Sequence, residues 1–406
     1  MFLKNYDFIL LVVLLVSVFT STGYFINVYF AVKQLPRIGL LKLRDKQAFS
    51  AFQFPKISII IPAFNEEENI EDCVKSVVTS TQLSVENLEI WIVDDQSTDR
   101  TLAILQALEA QLADPRLHLL VGLPLPDDQI WTGKNWACHQ GAARASGDFL
   151  IFIDADMRLQ PEAIGAVVQV AIAQQLDFLT FIPTIVCGSL VEWLVQPLMF
   201  INLMVTFNAR VVKDPMTKTT YALGPFLLFR ASAYHAVGGH KAVSAYAAED
   251  VAFARRLKHR GFKLQHFLGA PLASLRMYRD WHSLWEGWTK ILYVGAQRNA
   301  GLMLLLVIVM VLVYTIPWFG LVIVMYQALS DPTVLHFSEI GLAGLAIALQ
   351  YLIRQQGAQA LGTSTHYWWL QSVGGLLIAM LAIASIIKTE TGWGWTWRGR
   401  KLISVK

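Results

Sequence analysis

Phe149-Leu150-Ile151-Phe152-Ile153-Asp154-Ala155-Asp156 decides how the rest of the chain is read. Five apolar residues in a row read as a buried strand, and the strand ends in two carboxylates. In extended backbone, residues i and i+2 project to the same side, so Asp154 and Asp156 are expected to share a face. Two carboxylates at a strand end make a hard-oxygen seat for Mg2+ or Mn2+. Such an ion keeps waters and takes phosphate oxygens. The pair therefore points to a phosphate-bearing substrate at the carboxyl edge of a sheet, where open α/β folds bind ligands. A surface turn would yield the same three residues, so the surrounding chain has to decide.

Outward from this stretch, between about Pro55 and Arg298, apolar runs alternate with helical patterns. Ile57–Pro62, Leu88–Val93, Leu117–Val121 and Phe178–Ile182 read as further strands. Glu67–Thr79, a segment capped by Ser97 or Thr98 and running to about Leu112, and patterns near 134–145 and 161–175 read as helices. The alternation predicts an α/β fold with a Rossmann-like, mostly parallel sheet covered on both faces. Acidic clusters follow three of the strands: Pro62-Ala63-Phe64-Asn65-Glu66-Glu67, Val93-Asp94-Asp95-Gln96-Ser97-Thr98-Asp99, and Asp154-Ala155-Asp156. All three fall at carboxyl ends of expected parallel strands, hence on one edge of one sheet.

The 406 residues are 55% hydrophobic and 16% charged, more apolar than a soluble domain. Phe8–Val32, Leu302–Tyr326 and Tyr367–Ile387 contain no charged residue, and each is long enough for the ~20 residues a bilayer crossing takes. Residues 1–34 read as an amino-terminal membrane anchor, because the apolar run is too long for a signal core and no small-x-small cleavage site follows. Residues 301–388 read as carboxy-terminal transmembrane helices, with Ile340–Ile353 short enough to be tilted, re-entrant or interfacial. Residues 178–207, charged only at Glu192 and broken by Pro183 and Pro197, read as an interfacial segment of a domain spanning 55–298. Lys33, Arg37, Lys42, Arg44, Lys46 and Lys56 against Asp45 place that domain in the cytoplasm, on a bacterial-type inner or plasma membrane. The net charge of +3 is small and gathered beside the membrane, so nucleic acid is not expected as a partner. Cys73, Cys138 and Cys187 are isolated and read as reduced, buried thiols.

Taken in order, Ile61-Pro62-Ala63-Phe64-Asn65-Glu66-Glu67, Val93-Asp94-Asp95 with Ser97, Asp99 and Thr101, Gly133-Lys134-Asn135-Trp136-Ala137, Asp154-Ala155-Asp156, Gly238-Gly239, Glu249-Asp250, Arg256-Leu257 and Gly261 form a pattern. It resembles membrane-bound glycosyltransferase family 2, inverting nucleotide-sugar transferases with a GT-A fold, from about Ile57 to Lys290. The resemblance implies that Pro62, Ala63 and Glu66 line the nucleotide pocket. It puts Asp94 and Asp95 on the base and ribose, Lys134 on the diphosphate, and Ala155 at the nucleotide-sugar. Asp156 would bind Mg2+ or Mn2+ directly, with Asp154 on the ribose or the metal, offsetting charge on the departing diphosphate. Asp250 would take the acceptor hydroxyl proton, with Glu249 beside it near the acceptor or diphosphate. Asp99 is expected to be structural; His139, His235 and His240 read as packing or surface residues.

Processive members of the family carry Gln/Arg-x-x-Arg-Trp on the helix before the next membrane segment. Here the segment reads Leu284-Trp285-Glu286-Gly287-Trp288, which keeps Trp288 and departs at the other two places. Trp281, Trp285 and Trp288 equally fit an aromatic belt at the membrane interface. The basic, tryptophan-rich tail, 389–406, is similar to tails of lipid glucosyltransferases of ceramide, carotenoid and hopanoid type. Arg398 and Arg400 would reach the diphosphate, or would simply anchor the tail. Three crossings after the domain put the tail outside, whereas its charge argues inside, so one segment is expected not to cross fully. The implied activity is transfer of one sugar, UDP-glucose as donor, to a membrane lipid: carotenoid, hopanoid, sphingolipid or glycerolipid. A processive polysaccharide synthase, a polyprenyl-phosphate sugar transferase, and a non-enzymatic scaffold or flippase remain as alternatives.

Overall fold

The structure, a computed structural model, describes residues 2–39, 53–81, 83–127, 129–206, 220–393, 396–397 and 400–401. The chain divides into two compact units. One is built from Leu35–Val186 and Ala209–Met277; the other comprises Met1–Gln34, Cys187–Asn208 and Tyr278–Trp397.

The first unit contains β1 (Ile57–Ala63), β2 (Leu88–Asp94), β3 (Leu117–Val121), β4 (Phe149–Ile153), β5 (Met157–Leu159), β6 (Phe178–Ile182), β7 (Thr184–Ile185), β8 (Phe226–Arg230), β9 (Leu264–Leu268) and β10 (Ala273–Leu275). Seven of them form one sheet in the order β3-β2-β1-β4-β8-β6-β9. β1 pairs in parallel with both β2 and β4, β2 with β3, and β6 with β9. Only β8 runs against its neighbours β4 and β6. Every residue of β4 and β6 is buried, as strands covered on both faces require. From β1 the chain steps outward to β2 and β3, then returns to lay β4 on the other side of β1. That reversal opens a crevice at the carboxyl ends of β1 and β4.

The strands expected at 117–121, 149–153 and 178–182 are found there, and β1 and β2 each run one residue further than expected. Helices occupy Ile70–Thr79, Thr101–Leu112, Gly133–Ala142 and Ala163–Ala173. Three readings change. Ser97 and Thr98 do not cap a helix: Arg100 holds the N-cap position without a side-chain cap, and both hydroxyls bond to Asn65 instead. Residues 178–207 are not one interfacial segment, since 178–182 is a core strand and only Leu190–Thr206 is helical. The strand does not continue through Asp156 either. The Met157 N–H donates to the Asp154 carbonyl (3.1 Å), closing a tight turn, so a turn and not strand alternation sets the two carboxylates.

β4 approaches β1 closely at its start. The Gly147 N–H donates to Ser58 Oγ (2.8 Å), and a Cβ on Gly147 would stand 2.6 Å from the Ser58 nitrogen. Backbone cannot yield as a side chain can. Gly147→Ala is expected to cost about 1–3 kcal/mol, read as a lower thermal midpoint of the purified protein.

The second unit is helical. Asp7–Gln34, Ala300–Ser330, Val334–Leu361 and Trp368–Thr391 are each long and apolar enough to cross a membrane. Val334–Leu361 has 28 residues, so length gives no ground for treating 340–353 as a partial crossing. Glu339, Gln350 and Arg354 interrupt its apolar pattern and hide that length in the sequence. The second span widens into a π turn over Val311–Thr315, just before Pro317, which has no N–H to give and whose ring crowds the preceding turn. Carbonyls freed there are met by neighbours: Ser17 Oγ donates to Leu312 (2.6 Å) and Gln350 Nε2 to Val313 (2.7 Å). Backbone groups inside an apolar medium require such partners.

Candidate active site

The carboxyl edge of the large sheet is tied together before any side chain reaches outward. Ala63 lies in register with Asp94. The Asp95 N–H donates to the Ala63 carbonyl (2.8 Å) and the Gly122 N–H to the Asp94 carbonyl (2.8 Å). The loop after β1 and the loop after β2 are then zipped by short polar side chains. Asn65 (φ 53°) and Gln96 (φ 59°) take left-handed backbone at the two bends. The Asn65 N–H donates to Ser97 Oγ (3.0 Å), the Glu66 N–H to Thr101 Oγ1 (2.8 Å), and the Thr98 N–H to Asn65 Oδ1 (2.8 Å). Asp99 receives the N–H groups of Glu67 (3.2 Å) and Thr101 (2.9 Å), which is the structural role expected of it. Burial would raise the Asp99 carboxyl, but bonds from Thr101 and Glu67 outweigh it and hold the group below its ordinary value.

Asp94 is 1% exposed. Its Oδ2 accepts from the Ser97 N–H (3.2 Å), while Oδ1 has no partner among the described residues. A buried carboxylate oxygen needs a donor, and a base N–H or ribose hydroxyl supplies one. Asp95 is buried beside it. Glu66 Oε2 accepts from Asn69 Nδ2 (2.9 Å), keeping the loop compact.

The turn after β4 is clamped by Arg158, whose Nη1 donates to the carbonyls of Ala155 (3.1 Å) and Met157 (2.9 Å). The buried Cys73 thiol marks where its carboxylates gather. Burial first, then Asp156, Glu66 and Asp154 push it above its ordinary value, against Arg158. Lys134 lies in the first turn of the helix Gly133–Ala142, capped by Thr132, whose hydroxyl accepts from the Asn135 N–H (3.3 Å). Its ammonium sits 2.7 Å from Asp154 Oδ1 and 2.8 Å from Glu249 Oε1. Burial alone would lower Lys134; the two carboxylates prevail and hold it above its ordinary value.

Glu249 and Asp250 open the helix Glu249–His259. Asp250 Oδ2 accepts from the Gly224 N–H (2.7 Å) and Oδ1 from the Val251 N–H (2.7 Å). Burial and the neighbouring Glu249 push Asp250 up to about 7, against Lys134 and the two N–H donors. A carboxyl poised there exchanges a proton near neutral pH. Asn135, fully buried, donates to the carbonyls of Val243 (2.8 Å), Ser244 (3.1 Å) and Tyr246 (3.0 Å), fixing the segment that leads into Glu249.

The structure thus brings Lys134, Asp154, Glu249 and Asp250 together, with Asp94, Asp95, Asp156 and Glu66 on the same sheet edge and Pro62, Ala63 and Ala155 as its backbone frame. Trp288 belongs to the helical unit. It is 2% exposed, its Nε1 donates to Gln196 Oε1 (3.0 Å), and its ring packs on Phe200 and Tyr278. Arg398 and the side chain of Arg400 lie outside the described residues. His240 is a packing residue, buried between Phe152 and Phe253 with Nδ1 on the Tyr234 hydroxyl. Sequence reasoning missed Gly224, which carries no chemical side chain to notice, and Arg255. The Arg255 guanidinium lies within electrostatic range of Asp250 and Tyr246, whereas its neighbour Arg256, singled out in the motif, turns to the Val237 carbonyl. Among the described residues no three His, Cys, Asp or Glu side chains form a closed metal cage.

The sequence profile of glycosyl transferase family 2 matches residues 58–238, from β1 to just short of the Glu249–Asp250 pair. Residues 58–238, a little under half of the chain, are thus similar to the glycosyl transferase family 2 domain. It is 32% identical over 257 residues to the 4,4'-diaponeurosporenoate glycosyltransferase of Staphylococcus haemolyticus, covering 62% of this chain and 65% of that one. It is 29% identical over 250 residues to the protein of the same name from Staphylococcus aureus (strain MRSA252), covering 60% and 63%. The matched stretch thus spans slightly less than two thirds of each relative. Among solved structures, the mannosyltransferase of Pyrobaculum calidifontis in complex with GDP-Man and Mn2+ aligns over 94% of this chain and 98% of its own, with TM-score 0.54 and 15% identity. That likeness speaks for the fold, and the family 2 domain has the GT-A architecture.

Proposed function

We propose that the protein transfers one sugar from a nucleotide-sugar, UDP-glucose, to a membrane lipid, with inversion at the sugar carbon and the GT-A unit in the cytoplasm. One observation carries the reading: the Asp94 oxygen without a partner, the Lys134 ammonium and the raised Asp250 carboxyl share one sheet edge. The Staphylococcus relatives, named for a carotenoid acid, favour an apolar acceptor, as do the four long apolar helices on the same chain.

In this reading Asp94 and Asp95 hold the base and ribose, and Lys134 leaves its carboxylates to meet the diphosphate. Asp154 and Asp156 suit a divalent cation that takes one or two carboxylates and fills its shell with phosphate and water oxygens. When bound, that Mg2+ or Mn2+ would neutralise charge on the diphosphate. Asp250 draws the proton from the acceptor hydroxyl as oxygen attacks the sugar carbon from the face opposite the diphosphate. The Gly224 and Val251 N–H groups hold its carboxylate in place. Gly287 supports single transfer over polymer synthesis, because any side chain there would collide with the Tyr278 ring. The arginine of the processive motif would have to displace that ring.

Incubating the purified protein with UDP-glucose, Mn2+ and a bacterial lipid extract tests the reading. A lipid heavier by one hexose, with UDP released in equal amount, is expected. A polymer, or a polyprenyl sugar phosphate, would displace it. The pH profile gives a second check. Asp250 acts only when ionised, so kcat/KM rises with pH through its titration. Glu249→Gln removes a charge that raises Asp250, and the acid limb is expected to move to lower pH. An unmoved limb assigns the base to another group.

A further inference from the structure

The helix Val334–Leu361 carries a buried cation that no anion among the described residues answers. Arg354 is 1% exposed. Its Nη2 donates to the carbonyls of Ser364 (3.2 Å) and His366 (3.4 Å), but Nε and Nη1 are buried without partners among the described residues. No carboxylate among the described residues pairs with it; the guanidinium lies 5.8 Å over the Trp193 ring and within electrostatic range of Tyr314 and Cys187. An arginine does not shed its proton to escape burial, and a buried charge is ordinarily paired. In a membrane-crossing helix such a residue marks a site.

Two further polar groups are buried in the same unit. Tyr314 sits in the π turn, a feature frequent at functional sites, and its buried hydroxyl lies against that of Tyr24, which itself donates to Asn202 Oδ1 (2.8 Å). Gln371 is 3% exposed with neither amide atom partnered. It lies one turn before Gly374 and Gly375, the residues that abut Leu194 and Tyr314. Trp193 and Leu194 belong to the helix Leu190–Thr206, which also meets Gly357 through Ile201.

We propose that the helical unit binds a lipid-borne oxyanion, a carboxylate or phosphate at the end of an apolar chain, on the free edge of Arg354, with Tyr314 as a neighbouring donor and Gln371, one turn before the glycine that abuts Tyr314, as a further one. A planar guanidinium offers two parallel N–H groups, which match either oxyanion. The apolar, aromatic surroundings and the membrane-crossing helix suit a ligand that arrives from lipid.

The full chain, purified in a neutral detergent, is mixed with phosphatidylglycerol, palmitic acid, phosphatidylcholine or inorganic phosphate, and bound ligand is counted by native mass spectrometry. Retention of phosphatidylglycerol or palmitic acid above phosphatidylcholine is expected, and whichever binds better identifies phosphate or carboxylate as the source. Arg354→Gln should weaken retention about tenfold or more, the loss of a hydrogen bond to a charged group. Tyr314→Phe and Gln371→Leu, which leave the cation in place, should weaken it less and carry the test if Arg354→Gln does not fold. Equal retention of phosphatidylcholine, binding of inorganic phosphate as tight as either lipid, or wild-type retention in every folded variant overturns the proposal. No sugar transfer is read, so the outcome is independent of the activity proposed above.

Discussion

Asp250→Asn is expected to lower kcat for sugar transfer by about 10²–10⁴-fold, the usual contribution of a positioned base, while nucleotide binding stays near wild type. The amide keeps the shape of the carboxyl and one of its acceptor oxygens for the N–H groups of Gly224 and Val251. Its NH2 then faces a backbone donor, a loss of about 1 kcal/mol. Relief from the adjacent Glu249 carboxylate offsets part of that. Fold and donor site therefore survive, and the loss falls on turnover. Asp250→Ala is a poorer probe, because it strands the Gly224 N–H. Steady-state kcat and KM for UDP-glucose separate the two effects; a variant with wild-type kcat removes Asp250 from the chemistry.

Lys134→Ala should act on both stability and donor binding. Its ammonium is the cation between Asp154 and Glu249, and the Glu249 side chain is only 7% exposed. Breaking a fully buried ion pair costs about 3–5 kcal/mol. With a third of the Lys134 side chain exposed, water screens part of this, and a loss of about 2 kcal/mol is expected. Adding Glu249→Gln should restore much of the lost stability, because it removes the stranded charge. Donor binding should not recover, since the diphosphate still lacks its ammonium. Lys134 holds Asp250 down, so its removal should move the acid limb to higher pH, opposite to the shift from Glu249→Gln. A Lys134→Ala protein with wild-type thermal midpoint and KM would show the contacts to be incidental.

The strands were legible because β1, β4 and β6 are covered on both faces and read as unbroken apolar runs. The acidic loops were legible because each follows such a run. What stayed hidden was held by backbone or by distance along the chain. Gly224 contributes an N–H that any residue type possesses. The bonds of Ser97, Thr98 and Thr101 to the loop after β1 cross more than thirty positions, and the hydroxyls of Ser97 and Thr98 read locally as helix caps instead. Asp154 and Asp156 were assigned to one edge for an incomplete reason: the edge holds, but a turn closed on Asp154 sets them, and strand alternation does not. In the helical unit, buried Glu339, Gln350 and Arg354 masked a full-length helix, because composition cannot tell a polar residue facing neighbours from one facing water.

Calorimetric titration with UDP in the presence of Mn2+ tests most directly whether this sheet edge is a nucleotide-sugar site. Saturable binding is expected in wild type and in Asp250→Asn. In Asp94→Ala it should weaken by about tenfold or more, the loss of a hydrogen bond to a charged group. Absence of UDP binding, or equal binding in Asp94→Ala, would contradict the account.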